Sequence, residues 1–216
     1  WAGRLIPMGG GLLVDIGSTT SDLIPLIDGH PATKGLTDVG RLQAGELVYT
    51  GVRRTPLCAV ASAVPFRGGM CCLAAELFAT TLDIYLLLGQ IEEDANDVHT
   101  ANGRPATQTA AADRIARMLC CDLSEVTQSE LLEMARFLAD AQRQQLNRAL
   151  DQVVGRMTAP VRTLVVSGSG GFLAEEVLAA HPLLSACRMI RLEQHLSPGV
   201  AESACAYAVA VLLAER

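Results

Sequence analysis

The sequence predicts an α/β fold, and three observations carry that reading. Leu12-Leu13-Val14-Asp15-Ile16 is a short apolar run with the length of a buried strand. The last third alternates strand, glycine turn, helix, strand and helix, the order of a layer with parallel neighbours. Half of the 216 residues are hydrophobic and only 4% are aromatic, so a sizeable core can form, mostly from Ala, Leu and Val.

The elements follow in order. Residues 12–16 form the first strand, and the small polar residues 17–21 a turn. Residues 22–27 form the second strand of a hairpin. Pro25 cannot donate to a ladder, so it belongs at an edge or a bulge. Asp28-Gly29-His30-Pro31 is the next turn, with a third strand near 32–35. A short helix is expected over 41–48, a loop over 51–56 and a strand over 57–64, broken by residues 65–69. Residues 71–88 read as one long apolar helix ending at Gly89, and the polar stretch 92–107 as an exposed loop. Two helices follow, over 109–120 and 128–157. Thr127-Gln128-Ser129-Glu130 fits a capping box at the start of the second. The end is a strand over 161–167, a turn over 168–171, a helix over 172–180, a strand over 189–192 and a closing helix over 199–214.

Composition excludes several classes. With 17 basic and 23 acidic residues the net charge is −6, which argues against a general nucleic-acid binder, whose basic face must meet phosphates. The most apolar stretch, 199–214, is shorter than the roughly 20 residues needed to cross a bilayer and carries Glu202. The opening Trp1-Ala2-Gly3-Arg4 is not a basic region followed by an apolar stretch. The seven cysteines form no C-x-x-C pair and read as reduced, mostly buried thiols of a cytoplasmic protein. His30, His99, His181 and His195 lie in no zinc pattern, and no G-x-S-x-G elbow is present.

Four groups of residues are candidates for chemistry. Gly17, Ser18, Thr19 and Thr20 follow a strand as a small polar turn. Bare backbone and hydroxyls there suit a phosphate or diphosphate, or else make a plain hairpin turn. Asp15 and Asp22 flank that turn on opposing strands, where they could hold magnesium. Gly168, Ser169, Gly170 and Gly171 join a strand to a helix, a place for a phosphate or flat ring and equally for close helix–strand packing. Glu76 and Asp83, seven residues apart on the expected helix, share one face as a base or metal ligands, or as structural ion pairs. Arg53 and Arg54 make a basic loop able to clamp a phosphate or carboxylate, or to pair with nearby acids.

These residues also carry a family resemblance. Leu13-Val14-Asp15-Ile16-Gly17-Ser18-Thr19-Thr20-Ser21-Asp22 resembles the second phosphate hairpin of the actin-like ATPase fold, and residues 165–172 its glycine-rich adenosine turn. Gly45-Glu46-Leu47-Val48-Tyr49-Thr50-Gly51 with Arg54-Thr55-Pro56 is similar to one branch of the hydantoinase A/oxoprolinase family. So are residues 76–89, 100–105 and 114–120. That branch comprises the tetrahydromethanopterin-linked one-carbon pathway proteins and the methanofuran-forming ether synthases.

The resemblance implies an actin-like, ribonuclease H-like mixed sheet with helices on both faces, mainly the second domain of a two-domain fold. Family members begin with a further half bearing a D-I-G-G hairpin, which the residues before Leu12 do not contain. The expected macromolecular partner is a second copy of the chain, in a homo-oligomer, or that N-terminal half. It also implies a transferase that joins an aminomethylfuran methyl diphosphate to a tyramine-type phenol and releases diphosphate. Carried over, residues 17–20 grip diphosphate, and Asp15 or Asp22 positions magnesium. Arg54 with Glu76 or Asp83 stabilises the leaving group or takes the phenol proton. An ATP-using amidohydrolase or kinase, with a nucleotide as its ligand, and a non-catalytic half-domain are the alternatives. Asn102 stands where the family pattern has Asp.

Overall fold

A computed structural model describes residues 1–196, 200 and 203–215. It has two compact units: residues 1–50 with 145–216, and residues 51–144. The first unit is discontinuous in sequence, assembled from both ends of the chain.

The first unit is built on one mixed sheet in the order β3-β2-β1-β7-β8, with β4 added to β2. Strand β1 (Gly10–Ile16) pairs antiparallel with β2 (Ser21–Ile27) and parallel with β7 (Val161–Ser167), which pairs parallel with β8 (Arg188–Arg191). The expected hairpin and parallel end are therefore parts of one sheet. Because strand side chains alternate, Leu12, Val14, Ile16, Leu164 and Val166 share one face and are all buried. Helix α6 (Gly171–Ala180) packs on that face; its first residue sits over Val166. The opposite face carries Leu13, Asp15, Ile24, Leu26, Val165 and Ser167. It is covered by residues at the chain start and by the last helix, here α7 (Ala204–Ala214), through Ala204. Helices thus lie on both faces, as expected. The expected start of the closing helix, near Gly199, lies outside the described residues.

Pro25 occupies the position its chemistry requires. Its carbonyl accepts from the Ala32 amide at 2.8 Å, so its nitrogen points to the same side, in the gap between two short strands along β2. Those strands are β3 (His30–Pro31) and β4 (Leu47–Val48). The third strand thus begins earlier than residues 32–35. The turn before it has φ of +49° at Asp28 and +80° at Gly29, the left-handed pair of a tight hairpin. The helix expected over 41–48 is α1 (Asp38–Gln43), capped by Thr37, and it stops so that Leu47 and Val48 can pair with β2.

The second unit departs most from expectation. Residues 57–64 are not a strand: α2 (Leu57–Val60) follows Pro56, and β5 (Ala63–Phe66) begins after it. The 71–88 helix is also not present as one element. Cys71 and Cys72 belong to β6 (Gly69–Cys72), which pairs with β5 across Arg67 and Gly68, both at positive φ. Only α3 (Thr81–Leu87) is helical, and its start is set by a capping box of Thr80 with Asp83. Helix α3 packs on α4 (Gln108–Arg117), with Leu82, Leu86, Ala106 and Ala111 forming a core cluster. Helix α5 (Gln128–Val154) starts at the expected capping box. The Thr127 amide donates to Glu130 at 2.8 Å, and the Glu130 amide to the Thr127 hydroxyl at 3.3 Å.

All seven cysteines are free, as expected, but none is fully buried. Cys71 and Cys72 sit on the exposed hairpin, and Cys120 and Cys121 in the turn after α4, which places them outside the core. Among the described residues no helix is long and apolar enough to cross a membrane.

Candidate functional site

In the first unit, β1 and β2 run directly into the 17–20 turn, with Ile16 opposite Ser21. The turn is closed by the Gly17 amide donating to the Thr20 carbonyl at 2.9 Å, and the Ser18 and Thr19 hydroxyls lie 3.4 Å apart. The buried Ser21 hydroxyl ties the next residue down by donating to the Thr50 carbonyl at 2.7 Å. A Cβ built on Gly17 would come no nearer than 3.6 Å to any neighbour, the Thr20 carbonyl. Among the described residues nothing stands close enough to require glycine there.

The second turn is packed against the first strand. Gly168 has φ of +88°, and a Cβ there would fall 2.3 Å from the Ile16 carbonyl oxygen and 2.4 Å from Asp15 Oδ1. The Gly170 amide donates to that same Ile16 carbonyl at 2.7 Å, and the Gly171 amide to Gly168 at 3.2 Å. Close packing against β1 therefore accounts for Gly168. The N–H groups of Gly170 and Gly171 are engaged within the protein.

Asp15 and Asp22 are direct cross-strand neighbours. Burial pushes the Asp15 carboxyl up from its ordinary value. The Ser167 hydroxyl pulls it back, Asp22 adds to the rise, and the Cys205 thiol pulls it down again. Ser167 Oγ lies near this carboxylate without closing a hydrogen bond of ordinary geometry. Cys205 Sγ lies 3.6 Å from Asp15 Oδ2. Partial burial, then the Asp15 charge, push that thiol up, so it stays protonated and donates. Asp22 is paired with the Arg41 guanidinium. Asp22 is thus engaged by a guanidinium, and among the described residues no group of three His, Cys, Asp or Glu side chains is placed to hold a metal ion.

In the second unit, the shared carboxylate face is corrected. Glu76 is exposed and precedes α3, so it shares no helix with Asp83. Asp83 is sealed in the core by an ion pair with Arg114 at 2.8 Å, both side chains about 1% exposed, and by the Thr80 amide at 2.9 Å. Burial pushes the Asp83 carboxyl up, against the pull of Arg114 and Thr80. Arg114 Nη1 also donates to Asn102 Oδ1 at 3.2 Å and to the Pro105 carbonyl at 3.4 Å. Residues 76–89, 100–105 and 114–120 thus meet at one guanidinium, and Asn102 serves there as an acceptor, a task that needs no acid. Arg53 pairs with Asp97, whereas Arg54 is exposed. His99 is exposed, with its amide on Asp97.

Two residues inside the motifs above, Glu46 and Ser167, carry structural weight that the sequence does not assign to them. Glu46 is fully buried and accepts from the Lys34 and Gly35 amides at 2.6 and 3.0 Å and from Arg156 at 2.6 Å. Burial works to raise its carboxyl; the two amides and then Arg156 outweigh it and hold it below the ordinary value. Ser167 shares its face with Asp15 only because β1 and β7 pair in that register. The Glu46 role had a signal, a lone acid between Gly45 and an apolar pair; Ser167 had none.

A mixed α/β sheet ending in a small polar hairpin turn beside a half-buried carboxylate defines the class to which this chain is compared. Residues 6–216 match the Hydantoinase/oxoprolinase family model, and the chain belongs to that family. It is 29% identical over 206 residues to the (4-{4-[2-(gamma-L-glutamylamino)ethyl]phenoxymethyl}furan-2-yl)methanamine synthase of Methanococcus vannielii, with 94% of this chain and 90% of that protein covered. It is 30% identical over 205 residues to the synthase of the same name from Methanocaldococcus jannaschii, with 95% of this chain and 59% of that protein covered. Among solved structures it is similar to nucleotide-free acetone carboxylase, with 13% identity and a TM-score of 0.48 over 80% of this chain and 26% of that one. The relatives' names mark this as a family branch that contains enzymes.

Proposed function

We propose that this chain belongs to an enzyme that forms an aryl ether by displacing diphosphate from a furanylmethyl diphosphate with a tyramine-type phenol. The observation that carries this reading is similarity along nearly the whole chain to two relatives whose name is that of a phenoxymethyl-furan product. Such a product contains one new O–CH2 bond. In the step, the phenol oxygen attacks the methylene carbon and the carbon–oxygen bond to diphosphate breaks. The electron pair leaves with diphosphate, and the phenol loses its proton. The larger electrostatic task is to hold the leaving diphosphate.

The 17–20 turn supports that task. It is a hairpin end with half-buried hydroxyls, and Gly17 leaves its backbone open to a close approach. Asp83, locked to Arg114, is not available as the base, and Glu76 lies on an exposed loop. Asp15 is the carboxylate with room beside it.

The test is to incubate the chain with the furan diphosphate and γ-glutamyltyramine and to follow diphosphate and the ether by mass. Diphosphate released only when both substrates are present supports the reading. ATP turnover with no ether overturns it in favour of the amidohydrolase or kinase alternative.

A further inference from the structure

The face of the first unit that carries Asp15 is not filled. Helix α7 lays Ala204, Cys205 and Ala208 over it, and side chains this small leave a cavity of about 160 Å³. Leu13, Ile24, Leu26 and Leu192 line it with aliphatic surface. Trp1, in edge contact with Tyr207 at 5.5 Å between ring centres, lines it too. Its polar wall is narrow: Asp15, Ser167 and Cys205. Asp15 is the one charged side chain among the described lining residues.

Size and chemistry together restrict the guest. An aliphatic cavity of about 150 Å³ admits one benzene-sized ring. A carboxylate with a hydroxyl beside it asks for a hydrogen-bond donor on that ring, since the Cys205 thiol at 3.6 Å is only a weak donor to it. We infer that this cavity is a binding site for a single aromatic ring bearing one hydrogen-bond donor, with Asp15 and Ser167 receiving the donor. Phenols and arylmethylamines share that chemistry. Asp15 then stands between the ring and the 17–20 turn, since β1 leads from one to the other. The ring's place in catalysis rests on the reading above; the cavity does not.

The experiment titrates the full chain with p-cresol, furfurylamine and toluene by calorimetry, with melting temperature read in parallel. At least one of the two polar rings should bind about tenfold tighter than toluene, the worth of a hydrogen bond to a charged group. Tighter p-cresol assigns the cavity to the phenol partner, and tighter furfurylamine to the furan partner. Ala208→Leu, which fills the cavity, should weaken the preferred ring at least about tenfold without lowering the melting temperature. If that variant melts early, Ser167→Ala decides: it should weaken the polar ring about fivefold and leave toluene unchanged. No binding of either polar ring, toluene binding as tightly as both, or binding unaffected by both variants overturns the inference. Diphosphate is titrated into the same samples. Ring binding without diphosphate binding keeps this site and sinks the ether-forming reading, and the reverse result sinks only this site.

Discussion

Asp83 and Asp15 are both carboxylates that burial pushes up, yet their surroundings assign them opposite roles. Asp83 has a guanidinium, a backbone amide and almost no exposure. Asp15 has a thiol at 3.6 Å, a hydroxyl that does not quite close, and an open cavity at its side. Asp83 has a partner on each oxygen, Arg114 on Oδ1 and the Thr80 amide on Oδ2, whereas Asp15 borders open space. The same contrast separates the glycines: Gly168 is demanded by the strand it touches, and Gly17 is not demanded by any neighbour among the described residues. Partners and room, rather than residue type, distinguish the two carboxylates and the two glycines.

The sharpest way to break this contrast is Asp83→Ala, which strands a buried Arg114. It should cost about 4 kcal/mol in denaturant unfolding, and a loss under 1 kcal/mol would deny Asp83 its structural role. Gly168→Ala forces a Cβ into the Ile16 carbonyl at a left-handed φ, and should cost about 3 kcal/mol by the same measurement. Glu46→Gln extends the contrast to a sealed acid of the first unit. It removes a charged acceptor from two amides and Arg156, for a loss of about 2 kcal/mol at neutral pH. Because the native Glu46 carboxyl is held low, its contribution is present above the ordinary carboxylate value and disappears as pH falls through the native value. The variant should therefore converge with the parent in acid.

Asp15→Asn has the smallest effect and the opposite sign. A native carboxyl raised by burial contributes fully below its unfolded value of about 3.9 and loses that contribution as pH rises through the native value. The variant should gain on the parent as pH climbs from about 4 toward 7. A parallel pair of stability–pH curves would show that Asp15 is not desolvated.

The end of the first unit was legible because strand, glycine turn and helix have sharp chemical boundaries. Val161–Ser167 is the predicted strand, residue for residue, and α6 starts one residue early. The stretch 71–88 was misread because its apolar run is shared among a hairpin edge, an exposed loop and a short helix. The stop signals were present: Arg67-Gly68 as a turn, and Thr80 with Asp83 as a capping box inside the supposed helix. The 17–20 turn could be read from sequence because it is local. The cavity beside Asp15 could not, since it is made by residues from β1, β7 and α7 that only the fold brings together.

The diphosphate contact proposed for the 17–20 turn stands or falls on one binding measurement. It is the calorimetric titration of diphosphate into the parent chain and into Gly17→Val, with melting temperature as control. Binding that falls at least about tenfold in the variant, while the two chains melt within about 3 °C of each other, is the predicted result. Equal affinity in both chains, or no affinity in the parent, would contradict it.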